Sequence, residues 1–269
     1  MLQLYRIDRH LPRVRMRQHP AFTRFPSVWL CLALTLGAVA QPAGLRAQAE
    51  PLPEPSATIR WWQPVLVLGG AALLMVVDEP VSDFVQDNRS AILDDLAGVR
   101  AMGEPVLYLS LVGGTVAAGL ISGDSRVTRA GGRLALTLAV AGGLAHVGKL
   151  ATGRDRPFSS TSATSFHPFT GGSKAFPSGH TAVAFGIATS LSDEIRRPWA
   201  TAVLYSGAGL VAWSRINDNK HWLSDVAAGA MLGVFSAKAA NGHWRVFGIR
   251  PPGVAAGPAG LTVAWHVEF

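Results

Sequence analysis

The chain is a series of apolar runs separated by short polar or glycine-rich breaks. After a proline-containing stretch at 41–60, uncharged runs cover 61–77, 105–123, 134–148, 175–192, 198–214 and 226–237. A helix that crosses a bilayer needs about 20 mostly apolar residues, with a lower limit near ~17. Several runs reach that length, and 134–148 and 226–237 do so only if Lys149 and Asp225 lie at helix ends. Small residues recur inside the runs, as in Gly113-Gly114, Ala141-Gly142-Gly143 and Ala227-Ala228-Gly229-Ala230. Such residues let helices approach closely in a membrane. The pattern predicts an all-α fold, a bundle of about six helices embedded in a bilayer. A soluble bundle with unusually apolar helices is the competing architecture.

Two segments break this pattern. In 81–100, Val81, Phe84, Val85, Ile92, Leu93 and Leu96 recur at helical spacing with acids between them. That predicts an amphipathic helix or helical hairpin lying at a surface. Towards the C-terminus, Pro251-Pro252-Gly253 and Gly257-Pro258 break any helix. Leu261, Val263, Trp265, Val267 and Phe269 then alternate with smaller or polar residues, which is strand periodicity. A short C-terminal β-hairpin or strand is expected, with Arg245–Ile249 as its partner. The terminal aromatic also resembles the C-terminal signature of outer-membrane proteins.

Composition sharpens the class. Of 269 residues, 49% are hydrophobic and only 15% charged, against ~25% charged in an average soluble domain. The net charge is +7, and much of it sits in Arg6, Arg9, Arg13, Arg15, Arg17 and Arg24, which face only Asp8. No basic run with interleaved aromatics follows in the body of the chain, so nucleic acid is not an expected partner. The basic start leads into an apolar stretch from Ser27 to Ala40 that ends in Ala38-Val39-Ala40, with a second small-residue site at Ala47-Gln48-Ala49. This is the layout of a secretory signal peptide, and an N-terminal anchor is the alternative. The single cysteine, Cys31, lies within that stretch, so neither a disulfide framework nor thiol chemistry is expected. The expected organisation is a signal peptide at 1–40, a linker at 41–60, a helical domain at 61–240 and a tail at 241–269.

Chemistry is concentrated in three polar islands. The first runs from Lys149 to Arg156-Pro157, the second is Pro177-Ser178-Gly179-His180, and the third runs from Ser214-Arg215 to His221 and Asp225. Each lies at the end of an apolar run, so three helix ends can converge on one pocket. Lys149, Arg156 and Arg215 supply cations suited to a tetrahedral oxyanion. Ser178 fits a helix N-cap, and Gly179 lets an anion approach the backbone at a helix start. His221 and Asp225 are spaced i,i+4 and would share one helix face. A carboxylate on one imidazole nitrogen frees the other as a nucleophile. His180 is then the remaining acid–base group. No carboxylate cluster offers a metal site, and the three cations could neutralise a transition state instead.

The motifs K-x6-R-P, P-S-G-H and S-R-x5-H-x3-D, in this order, resemble those of the type 2 phosphatidic acid phosphatase and vanadium haloperoxidase superfamily. Every motif position matches, over roughly 61–240. The resemblance implies that Lys149, Arg156, Ser178, Gly179 and Arg215 hold phosphate. It implies that His180 is the general acid and that His221, oriented by Asp225, forms a phosphohistidine. It also implies hydrolysis of a lipid-linked phosphate or diphosphate, such as an isoprenyl diphosphate, with no metal or cofactor. A soluble periplasmic acid phosphatase of broad specificity and a vanadate-dependent haloperoxidase remain open.

Other polar residues carry blander expectations. His146 is read as a packed or hydrogen-bonded helix residue, His167 as a solvated loop histidine, and Asp155 as a local partner of Arg154 or Arg156. Trp61 and Trp62 are read as interfacial anchors. Arg126, Arg129, Arg133, Arg196 and Arg197 mark cytoplasmic loops, which places the motif loop in the periplasm. A cleaved signal peptide would instead start residue 60 outside, and six spans from there put the site in the cytoplasm. An active site facing the cell envelope is the expectation.

Overall fold

The computed structural model describes residues 57–90, 94, 104–170, 174–246, 253–257 and 260–264. The segment read as a signal peptide or anchor lies outside them. The elements are β1 (Ala57–Ile59), α1 (Trp62–Leu74), α2 (Asp78–Asp87), α3 (Pro105–Ser122), α4 (Ser125–Thr152), α5 (Gly179–Ile195), α6 (Pro198–Asn217), α7 (Leu223–Ala240), β2 (Trp244–Val246), β3 (Gly253–Gly257) and β4 (Gly260–Ala264). A single 3₁₀ turn, Met75–Val77, joins α1 to α2, so the two run on as one helical segment. The described residues thus hold six helical segments, as the hydrophobic pattern predicts.

Local chemistry sets the helix boundaries. Pro105 and Pro198 open α3 and α6, where a missing N–H costs nothing. The Asp124 carboxylate caps α4 by accepting from the Arg126 and Val127 N–H groups. Gly153 ends α4 in the left-handed conformation, at φ 54°. A side chain there would collide with the His167 carbonyl, so this turn requires glycine twice over.

α5 is the central helix, packed against α4, α6 and α7. Its crossing with α7 is close. A Cβ on Gly233 would run into the Ala182 carbonyl, and one on Gly229 would sit 2.5 Å from the Ser178 carbonyl oxygen. The small-residue run around Gly229 therefore brings the start of α7 against the start of α5.

Among the described residues, four helical segments are long and apolar enough to cross a membrane: Trp62–Asp87, Pro105–Ser122, Ser125–Thr152 and Leu223–Ala240. Val65, Leu66, Leu73, Leu109, Ile121 and Val147 are exposed on the outward faces of α1, α3 and α4. An aqueous surface would not tolerate so continuous an apolar belt, and a bilayer does. The chain is a membrane protein. Trp61 is 74% exposed at the start of α1, consistent with an interfacial anchor.

Several expectations need correction. α4 begins at Ser125, not near 134, so Arg126, Arg129 and Arg133 lie on a helix rather than in a loop. Partners explain this: Arg133 pairs with Glu194 at 2.5 Å, and Arg129 donates to Ser125 Oγ at 3.2 Å. The first part of the 81–100 segment is amphipathic helix, with Phe84 exposed and Val85 buried. Residues 81–87 belong to α2, whose Val85 packs with Ala212, Ile216 and Val226 of α6 and α7. Residues 91–93 and 95–103 lie outside the described set. The C-terminal hairpin forms, but β4 pairs antiparallel with β3, from Gly253↔Ala264 to Gly257↔Gly260, and the described part of the expected partner, Arg245 and Val246, belongs to β2. Pairing with the adjacent segment closes a much shorter loop. β2 instead pairs in parallel with β1, so residues 57–59 of the stretch read as linker form a strand.

Candidate active site

The three polar islands meet at one end of the bundle. Lys149 is on the last turn of α4, and its Nζ donates to the Lys174 carbonyl at 2.8 Å. The Lys149 stem runs past Gly179, where a Cβ would lie 3.8 Å from Lys149 Cε. Lys149 lies within electrostatic reach of Arg156, Arg215 and Asp225. Arg156 is half-buried in the loop after α4, its guanidinium 5.9 Å from the Phe158 ring centroid. Arg215, 7% exposed, is on the last turn of α6. Lys149 therefore lies near both of the other cations.

Ser178 occupies the N-cap of α5 with extended backbone, at φ −71° and ψ 110°. Its side chain makes no cap bond, and its Oγ accepts from Thr181 Oγ1 at 2.9 Å. The first N–H groups of α5 thus keep their capacity for an anion. The Ser178 N–H donates to the Asp225 carbonyl at 3.0 Å, which locks this helix start to that of α7. His180 is on the first turn of α5, with Nε2 3.5 Å from Glu104 Oε1 at the N-cap of α3.

His221 is not on a helix. It precedes the Trp222 N-cap, and Asp225 is the third residue of α7. The i,i+4 pairing expected on a helix face arises instead from the bend into α7. The Lys220 and His221 N–H groups both return to the Arg215 carbonyl, and the Trp222 N–H donates to Asp225 Oδ2 at 2.9 Å. These bonds bring His221 Nδ1 to 3.5 Å from Asp225 Oδ2. Nε2 is thereby the nitrogen left to react. His221 is 3% exposed, and its pKa is pushed down to about 4. Burial is the main cause, the charges of Lys149 and Arg156 add to it, and the Asp225 carboxylate opposes. The imidazole is therefore neutral at pH 7, with a lone pair available.

Beneath this pair lies a buried ionic network that motif reading missed. Arg154, fully buried, donates to Asp225 Oδ1 at 2.6 Å and to Asp78 Oδ2 at 2.7 Å. Asp78 is the first residue of α2 and also accepts from the Ser224 N–H at 2.8 Å, so it caps α7 from a distant part of the chain. Asp155 lies in the loop after α4 and reaches the Ser165–His167 turn. Its Oδ2 accepts from Ser165 Oγ at 2.7 Å and lies 3.1 Å from His167 Nε2. His167 is half-exposed in its loop, and His146 is exposed on the flank of α4 rather than packed. Asp78 leaves one trace in the sequence, as the acid that closes the first apolar run.

Residues 130–245 match the family model of the PAP2 superfamily, a span that contains all three islands. A stretch of 112 residues is 39% identical to a lipid A 1-phosphatase of Porphyromonas gingivalis. It covers 41% of this chain and 22% of that relative's length. A transmembrane PAP2-type phosphatidylglycerolphosphate phosphatase of Bacillus subtilis superposes with a TM-score of 0.52 at 23% identity, over 67% of this chain and 95% of that one. LpxE of Aquifex aeolicus aligns with a TM-score of 0.48 at 22% identity, over 61% and 94% of the two chains. The motif-bearing region thus matches the PAP2 superfamily model, and the helical architecture resembles that of the Bacillus subtilis phosphatase.

Proposed function

We propose that this protein is a phosphatase that removes phosphate from a lipid-linked phosphate through a phosphohistidine intermediate, without a metal. The observation that carries the reading is a neutral, buried His221 held against Asp225 at the convergence of Lys149, Arg156 and Arg215. In the first step His221 Nε2 attacks phosphorus, the P–O bond to the lipid breaks, and His180 gives its proton to the departing oxygen. In the second step His180 takes a proton from water, the hydroxide attacks phosphorus, and the N–P bond breaks to return His221. Lys149, Arg156, Arg215, Ser178 and the Gly179 N–H would neutralise charge on the equatorial oxygens in both steps. Neutralisation by fixed cations is the reason a divalent ion is not required.

The apolar belt and the lipid-directed activity named for the Porphyromonas gingivalis relative support a substrate with a lipid anchor. The belt also speaks against a soluble acid phosphatase. The arginine-rich end of the bundle lies opposite the site, which supports a site that opens to the periplasm. The test is release of inorganic phosphate by the detergent-purified protein from phosphatidic acid, phosphatidylglycerol phosphate, a lipid A-type 1-phosphate, an isoprenyl diphosphate and a soluble aryl phosphate. Turnover of at least one lipid substrate well above the soluble one is expected. Exclusive turnover of the soluble ester would overturn the lipid assignment, and halide oxidation with added vanadate would favour the haloperoxidase reading.

A further inference from the structure

Arg154 sits within two residues of the phosphate-facing Arg156 yet has a different task. All five of its N–H donors are engaged inside the protein. Nε donates to the Ala163 carbonyl at 2.8 Å, Nη1 to Ser224 Oγ at 2.7 Å and Asp225 Oδ1 at 2.6 Å, and Nη2 to Asp78 Oδ2 at 2.7 Å and Ala163 O at 2.6 Å. Its guanidinium lies 5.5 Å from the Phe166 ring centroid and 5.6 Å from that of Trp222. No donor is left for a phosphate oxygen, and the side chain is 0% exposed.

We infer that Arg154 is a positioning residue for phosphoryl transfer: it holds the Asp225 carboxylate against His221 and ties that pair to Asp78 at the start of α2. This rests on the reading of His221 as nucleophile. Asp225 has two oxygens with divided duties. Oδ2 accepts from the Trp222 N–H and faces His221, so its direction depends on what anchors Oδ1. Arg154 is that anchor. Asp78 in turn orients Arg154 and, through the Ser224 N–H, the first turn of α7. Lysine cannot replace this arrangement, because a point ammonium has three donors and no planar fork. A buried ion network could serve stability alone, so the test must separate the two roles.

The experiment compares Arg154→Lys, Arg154→Ala and Asp78→Asn with the full-length parent in detergent. It measures kcat, KM, inhibition by vanadate and thermal midpoint on whichever substrate the parent turns over. A misplaced reacting group costs up to about 100-fold, so kcat should fall by roughly that factor in both Arg154 variants. For Asp78→Asn, one contact further out, the fall should be nearer 10-fold. KM and vanadate inhibition should stay close to parent values, because Arg154 does not touch the phosphate. Millimolar guanidinium should restore part of the activity of Arg154→Ala and none to His221→Ala. A folded Arg154→Lys protein with parental kcat would overturn the inference. So would a loss of vanadate inhibition in step with kcat, which would make Arg154 a phosphate ligand. If Arg154→Ala does not fold, Arg154→Lys and Asp78→Asn read the same split between kcat and KM. A parent that turns over no substrate and traps no phosphoenzyme defeats the functional reading itself. An active parent with unaffected variants defeats only this inference.

Discussion

Gly229 of α7 lies against Ser178 at the head of α5, so close that a Cβ on Gly229 would approach the Ser178 carbonyl oxygen to 2.5 Å. The obstacle is backbone, which cannot swing aside as a flexible side chain would. One α7 glycine thus sets the distance between the helix start that carries Asp225 and the helix start proposed to seat phosphate.

Gly229→Ala should therefore separate the two helix starts. Overpacking of this kind costs about 1–3 kcal/mol. A fall in thermal midpoint and a fall in kcat/KM are both expected. Gly142→Ala is the control, because nothing lies within 4 Å of a Cβ at that position. Its midpoint should not fall. If Gly229→Ala behaves like Gly142→Ala, the close crossing does not govern the site.

His221→Ala should abolish turnover and the acid-labile phosphoenzyme trapped by acid quench. Asp225→Asn keeps the volume but loses the carboxylate that faces Nδ1, and a fall of about 10²–10⁴-fold in kcat is expected. Near-normal activity in His221→Ala would show that the phosphoryl group is carried elsewhere or not covalently.

The pH profile follows from the burial of His221. An ordinary histidine would lose its lone pair to a proton below about 6.5. With its pKa pushed down to about 4, His221 stays unprotonated down to that pH. Protonation removes the nucleophile, so its contribution to kcat/KM should rise with pH through about 4 and be level above it. A His221 limb centred near 6.5, followed by single-turnover phosphoenzyme formation, would show that the imidazole is more hydrated than its 3% exposure implies.

Vanadate has the shape and charge of phosphate and should inhibit competitively by occupying the seat of Lys149, Arg156 and Arg215. Arg215→Ala and Arg156→Ala should weaken that inhibition together with substrate binding. Chelator should leave the rate unchanged. Activity lost in chelator and restored by magnesium or zinc would disprove charge neutralisation by the three cations.

What the sequence made legible has a physical boundary. Lys149, Arg156, Ser178, Gly179, His180, Arg215, His221 and Asp225 interrupt apolar runs, and polar residues at the ends of apolar helices stand out without any three-dimensional information. The Arg154 network does not stand out. Its acids are separated from it by 76 and 71 residues, and only packing of α2 and α7 reveals which acid it meets. Asp78 carries no motif, and its role as a cap for α7 depends on a contact across 146 residues. The start of α4 was obscured for a similar reason. Arg126, Arg129 and Arg133 read as a loop by charge, whereas Glu194 and Ser125 supply partners that keep them on a helix. The pairing of β1 with β2 was equally hidden, since three-residue strands carry too short a period to announce themselves.

The last prediction concerns which way the bundle faces. The 3₁₀-linked α1–α2 segment, α4 and α6 all end on the side of the polar islands, and α5 and α7 begin there. The opposite end carries Arg126 and Arg129 at the start of α4 and Arg196 and Arg197 between α5 and α6. Basic residues concentrate on the cytoplasmic side of a membrane, so the islands should face the periplasm. The β1–β2 pairing adds a constraint: it ties residues 57–59 to 244–246, just beyond the end of α7, at the arginine end. Residue 60 should then enter the bilayer from the cytoplasm, which is incompatible with a cleaved signal peptide that delivers it to the outside. A reporter fused after Thr170 should therefore read as periplasmic and one fused after Arg197 as cytoplasmic. The N-terminus of the purified protein, determined by mass, should lie upstream of Ala40. A cytoplasmic signal after Thr170 would reverse the orientation and, with it, the assignment of an externally exposed substrate.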